Sequence, residues 1–314
     1  MVDISQVLLE MDTQTTTELP AESTRVLLAG IVDYAGLFPP SQLSMSEAVL
    51  NYATYRASNY AWMLGRFVVP AARLDEFLES AGDFVARGGD PWQLAVVAGE
   101  DINDTLRRIV DFNKANAPSM VCDVLEVKAN TVSKLENTVK LLPEGLAAYF
   151  EIGIGDTFVD LVTALALLEQ RAKIRTGGTT RDAFPTSREI IRFVRTCMAA
   201  NVPFKATAGL HHPLRCFKPL TYAQDAPQGT MHGFLNMLMM TAFARESFRV
   251  GVLEEIMEEE FEEVFTFRDN GVTWRDEHFL STAHLDRLRR KGMHAFGSCS
   301  FDEPVADLQA LGLL

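Results

Sequence analysis

Eight short apolar runs recur along the chain at intervals of one strand-plus-helix unit, and that recurrence constrains the fold more than any other feature. The runs cover residues 30–34, 66–69, 93–98, 123–127, 148–152, 172–176, 203–207 and 294–298. They are short and apolar, bounded by Gly or Pro residues such as Pro70 and Gly99, as strands buried on both faces are. Their centres lie 24 to 36 residues apart through the first seven, and the last gap is 91 residues. Eight parallel strands joined by right-handed helical crossovers close into an α/β TIM (β/α)8 barrel. An open doubly wound sheet shares the same alternation. Helix starts fall where the barrel needs them. Ser44 with Glu47, and Thr186 with Glu189, fit the capping-box pattern ahead of apolar-periodic segments. Gly88-Gly89 is placed to end the helix that begins near Arg73.

The expected organisation is one barrel domain over residues 1–314, with residues 211–293 as a long helical insertion between strands seven and eight. That insertion holds a Met-rich helix from His232 to Arg245 and a Glu-dense run from Glu254 to Glu263. The run reads as a solvated helix face with Ile256, Met257, Phe261 and Val264 as its apolar stripe. The segment FTFRDNGVTW follows and reads as a hairpin with Asp269-Asn270-Gly271 at its tip. Such an excursion suits a lid or a contact between copies in a homo-oligomer.

Composition removes several classes of function. Hydrophobic residues are 47% of the chain, enough for a real core, and the formal net charge is −13. Nucleic-acid binding needs clustered Lys and Arg, so no nucleic-acid partner is expected. The most apolar stretch, residues 233–244, contains an Asn and falls short of the roughly 20 residues that span a bilayer. The opening MVDISQVLLEMDTQTTTE lacks the basic and apolar regions of a signal peptide. Cys122, Cys197, Cys216 and Cys299 show no CxxC spacing, so neither a zinc site nor a disulfide framework is expected. These features together point to a cytoplasmic protein.

In a parallel barrel the site sits at the C-terminal ends of the strands. Asp33 ends the first run, Asp123 opens the fourth, Glu151 lies on the fifth, Lys173 on the sixth and Lys205 on the seventh. A charge within an apolar strand is costly unless it is paired or used. Alternation places Lys173 with Arg175, and Lys205 with Thr207, on common faces. If both faces point inward, three cations converge on one cavity. A lysine is a nucleophile only when neutral, and a neighbouring cation lowers its pKa, so this cluster suits imine formation and an anionic substrate. Thr176-Gly177-Gly178 and Gly297-Ser298 offer backbone N–H groups to phosphate or carboxylate. Tyr34 and the GLFPP turn are placed to shape the cavity rim. Of His211 and His212, alternation lets one face the cavity. An acid/base or substrate role for His211 is preferred to a metal site, since no HxH or HExxH spacing occurs.

The segments AKIRTGG and FKATAGL carry a family resemblance. Lys173-Ile-Arg-Thr-Gly and Lys205-Ala-Thr-Ala-Gly-Leu resemble the two lysine motifs of deoxyribose-phosphate aldolases, class I aldolases built on TIM barrels. More faintly, IVDYAGLFPP, CDVLEV and AFGSCS resemble that family's first, fourth and eighth strands. The resemblance implies Lys173 as the Schiff-base lysine, Lys205 as the lysine that tunes it, and Asp123 as the acidic residue of the proton relay. It also places Gly177, Gly209, Gly297 and Ser298 where backbone holds phosphate. Arg175, the His211-His212-Pro213 turn and the insertion depart from the family pattern. The expected function is a class I aldolase-like lyase acting on a small anionic carbonyl substrate, with no cofactor and no metal. A metal-assisted barrel lyase or isomerase, and a non-catalytic barrel acting as a binding or assembly protein, are the alternatives.

Overall fold

The computed structural model describes residues 19–85 and 90–314. The opening segment read for a signal peptide, and Gly88-Gly89, lie outside the described residues. The barrel strands are β1 (Val32–Tyr34), β2 (Leu64–Pro70), β3 (Trp92–Val97), β4 (Met120–Lys128), β5 (Ala147–Glu151), β6 (Arg171–Arg175) and β7 (Phe204–Thr207). The eighth barrel strand comes late in the chain, as β13 (Met293–Ser298). All eight pair in parallel and close in the order β1-β13-β7-β6-β5-β4-β3-β2. Each of the eight apolar runs is one of these strands.

Helices form the crossovers. A first helix, α1 (Glu22–Leu28), precedes the barrel. Then come α2 (Met45–Arg56), α3 (Leu74–Val85), α4 (Ile102–Asn116), α5 (Val132–Val139), α6 (Phe158–Leu167) and α7 (Ser187–Ala199). Both expected capping boxes are present. Ser44 caps α2 with Glu47 reaching back, and Thr186 caps α7 with Glu189 doing the same. The core lies between strands and helices. Phe193 meets Phe204 edge-on at 5.4 Å, and Tyr52 meets Trp92 at 5.1 Å.

The segment between β7 and β13 is mixed rather than helical throughout. It begins with an antiparallel pair, β8 (Cys216–Pro219) and β9 (Gln228–Met231). The Met-rich helix α8 (Phe234–Arg245) and α9 (Val250–Met257) follow. A three-stranded antiparallel sheet, β10 (Phe265–Arg268), β11 (Gly271–Trp274) and β12 (His278–Ser281), leads into α10 (Thr282–Lys291). Helix α8 is part of the barrel wall. Residues Phe234 to Phe243 are all buried, Phe234 stacks on Phe296 of β13 at 5.0 Å, and the helix packs against α7, α9 and α10. Its one amide is satisfied inside the core: Asn236 donates to the carbonyls of Ile256 and Glu259 and accepts from the Arg215 N–H.

The hairpin tip is as expected, with Arg268 opposite Gly271 across Asp269-Asn270. The Glu-dense run is not one helix. Helix α9 stops at Met257, a short 3-10 turn covers Glu262–Val264, and Phe261 is 63% exposed. Ile256 and Met257 keep their buried places, but the stripe does not continue past them. A last helix, α11 (Asp302–Ala310), follows β13. Among the described residues no helix is long and apolar enough to cross a membrane.

Candidate functional site

Parallel pairing sets the site by register. Glu151 is the partner of Lys173 across β5–β6, and Lys173 is the partner of Lys205 across β6–β7. Partners in a ladder share a face, so three charged side chains stand in one row inside the barrel. Glu126 on β4 and Asp33 on β1 extend it. Lys173 Nζ donates to Glu126 Oε2 at 2.7 Å and lies 3.0 Å from Glu151 Oε2. Lys205 Nζ donates to the other oxygen of Glu126 and to Asp33 Oδ2. Arg175 Nε lies 3.4 Å from Glu151 Oε1 and closes the row.

Charges thus alternate along Asp33, Lys205, Glu126, Lys173, Glu151 and Arg175. Inside a barrel this row survives only because each ion touches its opposite. Asp33 has its second oxygen on the Arg66 N–H at 2.7 Å, and the space for it exists because residue 65 is glycine: a Cβ there would lie 2.4 Å from that carboxylate. Burial raises the Glu126 carboxyl, yet the two ammonium groups outweigh it and hold the pKa at about 2. Burial likewise lowers Lys205, but Asp33 and Glu126 override it and keep this lysine charged well above the usual range. Burial also raises Glu151, and Lys173 and Arg175 bring it below the carboxylate range.

Four members of the row, Glu126, Lys173, Glu151 and Arg175, line a cavity of about 1060 Å³. Its lining comes from the C-terminal ends of the strands and the loops after them, including Val97, Glu126, Lys128, Glu151, Lys173, Arg175, Thr207 and Gly297. Lys173 and Lys205 differ here. Lys173 reaches the cavity; Lys205 is fully buried beneath, with Tyr149 5.5 Å from its ammonium. The third expected cation, Arg175, lines the cavity with a half-exposed side chain. The cations do converge, but two carboxylates, Glu126 and Glu151, stand between them.

Other expected residues divide. Gly178, His211 and Gly297 line the cavity. Asp123 does not. It sits in the first half of β4, where Arg66 grips both its oxygens at 2.7 and 2.6 Å, and Glu126 occupies the place between the lysines. The pairing of β3 with β4 slips between Leu94 and Ala95, so Asp123 is passed over in the register and simple alternation along β4 fails. Tyr34 points out of the barrel into the core, stacked on Tyr52, and burial pushes its hydroxyl up to about 12. Ala35, Phe38 and Pro39 shape the rim in its stead. Thr176 is buried and donates to the carbonyl of Ala208 at 2.6 Å, and Ser298 is buried outside the lining. Gly177 and Gly209 pack against one another under the Phe184 ring, and a Cβ on either would come within 2.9 Å of its neighbours. Gly209 also has φ of +78°, so these two glycines serve a close backbone crossing.

His211 and His212 lie in the loop beyond β7, outside any strand, and find different partners. His211 lines the cavity, and His212 turns to Asp307 at 2.6 Å. His232 is spent on the Pro185 carbonyl at 2.7 Å. Among the described residues, no three His, Cys, Asp or Glu side chains are grouped to hold a metal.

The residues not foreseen are Glu126, Lys128, Lys134 and Cys299, all in the cavity wall. Glu126 had a signal, since it lies nearer than Asp123 to the end of β4 where barrel sites form. No protein-family model matches the chain, and neither a curated protein nor a solved structure does.

Proposed function

We propose that the chain is a carbon–carbon lyase of the class I aldolase kind, in which Lys173 forms an imine with a small anionic carbonyl compound. One observation carries this reading. Of two lysines paired side by side, one opens on the cavity and the other is buried, and a single carboxylate, Glu126, joins them.

Imine formation begins when Lys173 gives up a proton. Glu126 accepts it; its basicity rises as Lys173 loses charge, because one of its two cations is then gone. The amine attacks the carbonyl carbon, a C–N bond forms, and the carbonyl oxygen leaves as water after taking two protons. The product is a protonated imine with the same single positive charge at Nζ as the ammonium it replaces. Glu126 and Glu151, at 2.7 and 3.0 Å, are therefore already placed to stabilise it. The protonated imine accepts the electron pair of the breaking C–C bond, giving an enamine, while a carboxylate takes the proton of the hydroxyl that becomes the new carbonyl. Protonation of the enamine and hydrolysis return Lys173. Lys205 keeps its proton throughout and fixes the second oxygen of Glu126. Arg175, Lys128 and Lys134, with the backbone at Gly178, are placed to receive the anionic group.

Borohydride trapping with a panel of small aldehydes and keto acids tests the reading. It should label Lys173 alone. Lys173→Ala should abolish labelling, and Lys205→Leu should slow it without moving the label. Labelling at Lys205 would reverse the roles, and no labelling at either lysine would sink the lyase reading.

A further inference from the structure

The loops after β7 and β13, at the rim of the same cavity, carry a second constellation that imine chemistry does not use. Cys299 follows β13 and His211 follows β7, adjacent strands of the barrel, and both side chains line the cavity. His211 Nδ1 stands 4.0 Å from Cys299 Sγ and 3.1 Å from Glu303 Oε2. Tyr222, from the β8–β9 loop, brings its hydroxyl to 3.7 Å from the same sulfur and donates to the same Glu303 oxygen at 3.0 Å. The Ser41 hydroxyl donates to the Cys299 carbonyl at 3.2 Å and pins the backbone. The same ring nitrogen faces both the sulfur and the carboxylate, so an imidazolium Nδ1–H is shared between Cys299 and Glu303, an ion-pair arrangement that favours a thiolate.

We infer that Cys299 is a second nucleophile of this cavity, activated by His211 and aligned through Glu303 and Tyr222, which adds reversibly to small aldehydes. The thiolate attacks the carbonyl carbon, a C–S bond forms, and the carbonyl π pair moves to oxygen. That oxygen takes a proton from the His211 imidazolium, leaving a hemithioacetal and neutral imidazole; the reverse step releases the aldehyde. No oxidant, metal or cofactor enters the balance.

The charges around the sulfur support this. Burial alone raises a thiol, yet the hydrogen bond and charge of His211 lower Cys299 below its ordinary range. Burial lowers His211, and Cys299 and Glu303 together raise it to about 9, so each partner favours the charged form of the other. The acidic groups nearby are the Tyr34 hydroxyl from β1, Tyr222 from the β8–β9 loop, and Asp302 and Glu303 from α11. Both tyrosines are pushed upward and stay neutral. The other three thiols behave oppositely: burial raises Cys122, Cys197 and Cys216.

The test follows alkylation of the full chain by iodoacetamide against pH, locating each adduct by peptide mass spectrometry. Cys299 should alkylate first, with a rate inflection below the roughly 8.5 of an ordinary thiol. His211→Gln should move that inflection up by at least one pH unit, and Glu303→Gln should move it the same way by less. [1-13C]Glycolaldehyde should give a hemithioacetal carbon resonance that is present in Lys173→Met and absent in Cys299→Ser. That pair of variants separates this site from imine formation at Lys173. A Cys299 inflection at or above 8.5, no adduct at Cys299, an unmoved inflection in His211→Gln, or a resonance that survives Cys299→Ser would overturn the inference.

Discussion

Replacing Glu126 with glutamine takes one negative charge from between two ammonium groups and leaves the side chain's volume unchanged. In the folded protein the two lysines hold this carboxyl at about 2 against an ordinary 4.5, a difference worth about 3 kcal/mol of stability at neutral pH. Deleting one partner of a buried ion pair costs about 3 to 5 kcal/mol on independent grounds, so the two routes agree. Because the folded-state value is the lower one, the contribution is fully present above pH 4.5 and disappears as pH falls towards 2. Urea denaturation at pH 7 should therefore show Glu126→Gln less stable by about 3 kcal/mol, with a lower midpoint and an unchanged slope. Repeated between pH 5 and 2.5, the gap between variant and parent should shrink. A loss under about 1 kcal/mol, or a gap that does not change with pH, would show that Glu126 does not bridge the lysines in solution.

Three further outcomes follow from the same geometry. Millimolar phosphate or sulfate should raise the melting temperature by filling the cavity, and Arg175→Ala should weaken the rise; thermal scans with and without Arg175 check it. His211 is raised to about 9 from 6.5, so its contribution to stability is complete below pH 6.5 and is lost as pH rises through 9. Denaturation midpoints across that window should fall in the parent protein and stay nearly flat in His211→Gln. Ser44→Ala and Thr186→Ala each remove a helix cap that also completes a capping box, and each should cost about 1 kcal/mol in urea denaturation.

The barrel was legible because strands buried on both faces must be apolar along their whole length. Runs such as Arg66–Val69 and Ala148–Ile152 differ sharply from the helices between them, and their spacing leaves few other ways to close a sheet. Elements that bury little carry no such mark. Strand β8 presents Phe217, Lys218 and Pro219 to solvent, so nothing in its pattern announces a strand. The helix expected through Glu263 failed because Phe261 and Val264 fit the stripe by spacing while the chain had already turned out of the helix at Met257.

At the site, Lys173, Lys205, Asp33, Glu151 and Arg175 were visible as charges inside apolar strands, where a charge must be explained. Asp123 attracted the same reasoning, and only the slip in β4 register shows that Glu126 takes the place between the lysines. Tyr34 and the Gly177–Gly209 crossing were misplaced for a related reason. Residue type alone does not say whether a side chain near a strand end faces the cavity or the helical layer.

The ionic row sits beside an apolar layer in which Val68, Ala95, Val124 and Tyr149 pack together. An apolar layer would hold a barrel closed at least as well, since burying paired ions gains little over well-packed hydrocarbon. What the row provides is a cation at a fixed point on the cavity floor, held between two carboxylates. From Asp33 to Arg175 the charges alternate three against three while Nζ of Lys173 is charged; a proton passed from it to Glu126 leaves the row neutral overall but removes the ion pair between them. Among the states of a lysine that takes up a carbonyl compound, the ammonium and the protonated imine keep that ion pair; the free amine and the neutral imine do not. The arrangement therefore disfavours a persistent free amine at rest, and on the proposed imine mechanism it would favour the charged imine, the free amine being needed only in passing with its proton on Glu126, 2.7 Å away.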